Sequence, residues 1–128
     1  MASYLIAESG STKTDWCLLK KGSKPVYFKT QGINPYIQSS KEIAAMLQEE
    51  IPWKGKKNKP DNICYYGAGA AMPEKQLMLS GVLKKHFETK KVTVQSDLMA
   101  AATALCGDKN PLLLLIHSFA FRGFGECR

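Results

Sequence analysis

The apolar positions fall into short runs separated by knots of small polar residues, and their period changes part-way along the chain. Tyr4 to Ala7 is a short apolar run with polar flanks, the length of a buried strand. A polar stretch, Glu8 to Thr14, leads into a second run from Asp15 to Lys20, and the two runs are expected to pair as a hairpin. Lys21-Gly22-Ser23-Lys24-Pro25 reads as a further turn, and Val26 to Thr30 alternates as a third strand. Strands joined in succession by short turns predict an antiparallel meander.

Beyond Gly32 the spacing becomes helical. Ser39 and Ser40 precede Glu42, and Ile43, Ala44, Met46, Leu47 and Ile51 recur at helical intervals, which predicts a capped amphipathic helix ending before Pro52. Asn62 to Tyr66 is a fourth strand, closed by Gly67-Ala68-Gly69. Pro73 opens a second helix, in which Leu77, Leu79, Val82, Leu83, His86 and Phe87 supply packing positions. Val92 to Gln95 is a fifth strand, Asp97 to Cys106 an alanine-rich third helix ending at Gly107, and Leu112 to Ile116 a sixth strand. A meander followed by alternating helices and strands implies an α/β fold with a mixed five-stranded sheet and helices on both faces. That order is the ribonuclease-H-like topology, complete by about Gly107. No internal repeat is visible.

Composition narrows the class. The chain has 128 residues, 45% of them hydrophobic, enough for one core. Its longest apolar run, Leu112 to Ile116, falls far short of the roughly 20 residues of a membrane helix. The N-terminus shows no basic region followed by an apolar signal core. A cytoplasmic protein without a membrane partner is expected. Cys17, Cys64, Cys106 and Cys127 are widely spaced with no Cys-x-x-Cys, and read as small core residues rather than a zinc site or a disulfide framework. The net charge is +7, and Lys54, Lys56, Lys57 and Lys59 sit among Gly55, Asn58 and Pro60 as a solvated loop. Such charge can steer anions. No aromatic residues interleave with the lysines, so nucleic acid is not an expected partner.

The polar stretch Glu8-Ser9-Gly10-Ser11-Thr12-Lys13-Thr14 carries the candidate chemistry. It is neither a Walker A loop nor a dinucleotide fingerprint, because it joins two strands instead of opening a helix. Backbone N–H groups around Gly10, with the Ser and Thr hydroxyls, can still cradle phosphate oxygens. Lys13 can add a point charge, and Glu8 can hold Mg²⁺ directly or through its waters. An ordinary polar hairpin turn accounts for the residue types equally well.

"ESGSTKTDW" resembles the first phosphate motif of the sugar kinase, actin and heat-shock-protein superfamily, Asp/Glu-Gly-Gly-Gly-Thr-Lys-Thr, with Ser9 and Ser11 in place of glycines. Taken in order with "QGINPY", "YYGAGA" and "VQSDLMAAATALCG", it makes residues 4 to 107 similar to the N-acetylglucosamine kinase and BadF/BadG-type ATPase family. The resemblance implies an actin-like ATPase lobe from an ATP-dependent kinase of N-acetylglucosamine or a related hexosamine. ATP and Mg²⁺ are the implied cofactors, and sugar and ATP the implied small-molecule partners. Glu8 matches the acidic residue serving the magnesium ion. Gly10, Ser11, Thr12 and Lys13 match the loop around the terminal phosphates. Asn34 matches a position near the sugar pocket, although an Asn-Pro turn that merely holds the chain is a competing account. Gly67, Ala68 and Gly69 match a turn bordering the sugar, or else serve close strand-to-helix packing. Asp97, at the junction of the fifth strand and third helix, matches the carboxylate that contacts the sugar and takes the proton from the attacking hydroxyl. Ser96 or Asp97 also suits a helix N-cap, which can coexist with catalysis.

The resemblance stops after Ile116. The family continues into a Gly-Thr-Gly-Ser loop and a second lobe, whereas "HSFAFRGFGECR" follows here. The expected organisation is therefore an N-terminal lobe over residues 1–111, with 112–128 as the second lobe's first strand plus an anomalous tail. Catalysis in such proteins takes place between two closing lobes. The chain is accordingly expected to be a truncated kinase, inactive alone, with an exposed inter-lobe face that favours a homo-oligomer. A short relative with its own ending is the alternative to truncation. Three other functions stay open. One is an activator-type or non-catalytic ATP-binding module of the same family. The second is a ribonuclease-H-like nuclease, disfavoured because the fourth strand ends in Tyr65, Tyr66 and Gly67 instead of an acid. The third is a simple interaction domain.

Overall fold

Ser3–Ser9 (β1) is the central strand, and both its edges are paired. It runs antiparallel to Lys13–Lys20 (β2) and parallel to Asn62–Gly67 (β4). Val26–Gln31 (β3) adds antiparallel to β2, and Lys91–Gln95 (β5) adds parallel to β4, giving the sheet order β3-β2-β1-β4-β5. This is the mixed sheet that a meander followed by strand–helix–strand crossovers produces. The protein is described by a computed structural model for residues 3–10, 12–20, 22–53, 59–67 and 69–96. The expected third helix at 97–106, the sixth strand at 112–116, Ser11, Ala68 and Asp97 lie outside the described residues, as do Cys106 and Cys127.

Two helices lie against one face. Ser40–Glu50 (α1) opens on the expected capping box: Ser39 accepts from the Glu42 amide, and the Glu42 side chain accepts from the Ser39 amide. Ile51 closes it before Pro52. Pro73–Phe87 (α2) begins at its proline, whose missing N–H costs nothing in the first turn. From β1, Leu5 and Ala7 face these helices, and their cross-strand partners Leu18, Trp16, Ile63 and Tyr65 extend the same apolar layer. Trp16 is fully buried, stacks on Phe28 at 5.7 Å, and donates its indole N–H to Thr30 Oγ1 at 2.9 Å. Its apolar body packs and its polar end is satisfied. On the opposite face Ile6 lies between Cys17 and Cys64, both buried and outside any disulfide, which bears out their reading as small core residues.

Two sequence expectations need correction. The strands of the first hairpin are longer than the apolar runs: β1 reaches Ser9 and β2 starts at Lys13. The extra polar positions fit the ladder because their hydroxyls find partners. The Thr14 hydroxyl is 3.0 Å from both Ser9 Oγ and the Gln31 carbonyl, and Ser9 Oγ accepts from the Ile33 amide at 3.0 Å. Leu77 does not supply a packing position. It is 76% exposed, because Leu79, Leu83 and Phe87 form the i, i+4 line that meets the sheet.

Candidate phosphate site

The first hairpin ends at the pair Ser9 and Thr14, and the Gly10 amide donates to the Lys13 carbonyl at 2.8 Å to close the turn. The Gly32 amide donates to the Thr12 carbonyl at 3.2 Å, which pins the tip against the segment leaving β3. Gly10 is exposed, and among the described residues a Cβ there would meet only the Lys13 carbonyl at an ordinary 3.6 Å. The fold does not demand glycine at this point. Bare backbone leaves room for a ligand to approach closely.

Because β1 and β4 are parallel, this turn and the turn at residues 67–69 lie at the same end of the sheet, the carboxyl end where open α/β sheets bind ligands. Gly67 is closely packed: a Cβ would stand 3.1 Å from Ser9 Cβ and from the Tyr65 hydroxyl. Gly69 is tighter still, with 2.9 Å from its Cβ position to Pro35 Cδ. Close packing is therefore real at both glycines, and among the described residues their nearest neighbours are Ser9 and Tyr65 for Gly67 and Pro35 and Tyr36 for Gly69. The contacts bring "QGINPY", "YYGAGA" and the phosphate hairpin into one neighbourhood.

Asn34 builds its own turn. Its Oδ1 accepts from the Tyr36 amide at 3.0 Å, its carbonyl accepts from the Gln38 amide at 2.9 Å, and its amide donates to Gln38 Oε1 at 2.6 Å. The turn-holding account of this residue is thus satisfied, which leaves any sugar contact to be proposed.

On the sheet face away from α1 and α2, one register row runs Lys29, Asp15, Glu8, Tyr66, Gln95. Glu8 Oε2 and the Tyr66 hydroxyl are both buried and have no hydrogen-bond partner among the described residues. Burial holds the Glu8 carboxyl above its ordinary range. The nearby Tyr66 hydroxyl, though out of hydrogen-bond geometry, offsets part of this; Asp15's charge adds to the rise and Lys13 opposes it. The Tyr66 phenol is pushed far upward, chiefly by burial and then by Glu8. Tyr65, on the helix face, is raised to about 12 by burial.

Asp15 is the residue that sequence reasoning missed. It is buried, directly opposite Glu8, with Lys13 Nζ and Lys29 Nζ each 3.9 Å from its carboxylate. The signal was present in the alternation of β2, which puts Lys13, Asp15 and Cys17 on the Glu8 face, but it needs the register to be seen. Lys13 accordingly carries a partner here rather than standing free at the hairpin tip. The oxygen donors suit a hard cation: Glu8 offers a buried carboxylate oxygen without a partner among the described residues, and Asp15 adds charge beside it. Among the described residues no group of three His, Cys, Asp or Glu converges.

The sheet order is that of the ribonuclease-H-like, actin-like ATPase fold. No family model and no curated protein matches the chain. Among solved structures it is similar to a candidate N-acetylglucosamine kinase from Porphyromonas gingivalis, with 42% identity and a TM-score of 0.62. That match covers 84% of this chain and 38% of the other, so the chain spans well under half the length of this relative. YeaZ from Pseudomonas aeruginosa also matches, at 18% identity and a TM-score of 0.39, over 81% of this chain and 49% of its own. The chain is N-acetylglucosamine-kinase-like. Among the described residues no helix is long and apolar enough to cross a membrane.

Proposed function

We propose that this chain supplies the phosphate-binding part of an ATP-dependent sugar kinase acting on N-acetylglucosamine or a related hexosamine. The observation that carries the reading is the meeting of the Gly10–Lys13 turn, Glu8 and the Gly67–Gly69 turn at the carboxyl ends of β1 and β4. In this reading the Gly10 and Thr12 backbone, with the Ser11 and Thr12 hydroxyls, holds the terminal phosphates of ATP, and Lys13 adds positive charge. Glu8 holds magnesium, which when bound neutralises phosphate charge during transfer. Asn34 and residues 67–69 border the sugar, and Asp97 takes the proton of the attacking hydroxyl.

Phosphoryl transfer is mostly positioning and electrostatic stabilisation, and those need groups from both sides of a cleft. The chain alone is therefore proposed to bind nucleotide phosphates and magnesium without turning over sugar. A nuclease on the same scaffold is less well supported, since the β4 neighbour of Glu8 is Tyr66, not an acid.

Thermal unfolding with ATP plus Mg²⁺ tests the reading. Ligand at about a hundred times its Kd adds roughly 2.7 kcal/mol to the folded state. A rise in Tm that needs both ATP and Mg²⁺ is expected. An unchanged Tm at saturating concentrations of both contradicts it.

A further inference from the structure

Gly81 stands mid-way along α2, where glycine is disfavoured by about 1 kcal/mol relative to alanine. Its backbone is not left-handed, and a Cβ added there meets nothing within 4 Å. Neither its conformation nor packing among the described residues accounts for it.

Two shallow concavities meet at this residue, with volumes of about 630 and 690 Å³, and both are lined by Gly81 and Lys85. The first lies between α1 and α2, with Ala44, Met78 and Val82 on its floor and the exposed Leu77 beside them. Among the described residues its charged lining is Lys41 and Lys85, both basic. The second carries Lys59, Lys84 and Lys90 against a single acid, Glu88. Lys59 and Lys90 precede the parallel strands β4 and β5, so this surface extends toward the pole opposite the Gly10 turn. Leu77, Gly81 and Lys85 follow one another at i, i+4 along one line of α2: an apolar side chain, a bare backbone and a cation.

We propose that the α1–α2 face docks an acidic amphipathic helix of a partner protein. The partner's apolar side lies along Leu77 and Val82, its axis comes closest at Gly81, where no side chain holds it off, and its carboxylates meet Lys41, Lys84 and Lys85. Charge complementarity selects this occupant. A second copy of the chain would set lysine against lysine. Nucleic acid would want an aromatic platform, but the His86 ring at the groove packs edge-on against Phe87, 4.7 Å away.

Titrating the ¹⁵N-labelled chain with a designed helical peptide of about five turns, leucines on one face and glutamates elsewhere, tests the proposal. The expected result is amide shifts at Ala44, Leu77, Gly81 and Lys85, with Gly10 unmoved. Binding is expected to weaken about tenfold or more in Gly81→Gln and in Lys85→Glu. Gly81→Ala serves as a folding control and is expected to raise Tm. The proposal is overturned by no shift, by equal binding of a matching lysine peptide, by preferential binding of vesicles of phosphatidylserine and phosphatidylcholine, or by self-association through these same residues.

Discussion

Glu8 on β1 lies directly beside Tyr66 on β4, and Glu8 Oε2 and the Tyr66 hydroxyl are both buried with no hydrogen-bond partner among the described residues. A buried polar atom that finds no partner costs about 1–3 kcal/mol. A site that gains its partner only when a cation or ligand arrives has this character.

Glu8→Gln follows first. The carboxyl sits above its ordinary 4.5 because of burial, so above pH 4.5 the folded chain holds a proton that the unfolded chain releases. Stability therefore falls as pH rises from about 4.5 through the folded value, then levels off. Glu8→Gln is expected to flatten that slope in urea unfolding measured across the range. Wild-type protein should also gain stability from Mg²⁺ more strongly at the high end of the range, and the variant should not.

Tyr66→Phe removes the hydroxyl that partly offsets the burial of Glu8. The Glu8 carboxyl should then titrate at a higher pH than in the wild type. Carbon-13 NMR of the side-chain carboxyl reads this directly, and an unchanged midpoint contradicts a Tyr66 contribution to the Glu8 titration.

Asp15→Asn moves Glu8 the other way. It removes a neighbouring negative charge and releases Lys13, and both changes favour the ionised Glu8 carboxylate. A lower Glu8 midpoint is expected in the same titration. The exposed Lys29 partner makes the direct loss of ion-pair stability small.

The glycines separate structure from site. Gly69→Ala forces a Cβ to 2.9 Å from Pro35 Cδ, an overpacking that costs roughly 1–3 kcal/mol and should appear as a lowered Tm. Gly10→Ala meets only an ordinary contact at 3.6 Å. Its Tm should stay close to the wild type, while the ATP-dependent rise is reduced because the added methyl crowds the turn.

Much of the fold was legible because local chemistry and global pattern agree. Ser39 with Glu42, Pro52 and Pro73 mark helix ends by mechanisms that act within a few residues, and the structure bears each out. The turn residues between β2 and β3 did the same for the meander. Leu77 misled because hydrophobicity names a candidate for burial but does not say which side of the helix meets the sheet. Asp15 was invisible for a related reason: its importance comes from lying opposite Glu8, a relation fixed by register and not by neighbours in sequence. The contact between Gly69 and Pro35 likewise joins two motifs that the sequence keeps apart.

The central claim is that the Gly10 turn and Glu8 bind nucleotide phosphates with magnesium. Amide NMR of the ¹⁵N-labelled chain, titrated with ATP and Mg²⁺ together and then with each alone, tests it most directly. The account predicts shifts at Gly10, Thr12, Lys13 and Gly67 that need both ligands and vanish in Glu8→Gln. Shifts confined to the lysines of the α2 surface, or no shift at the turn, would contradict it.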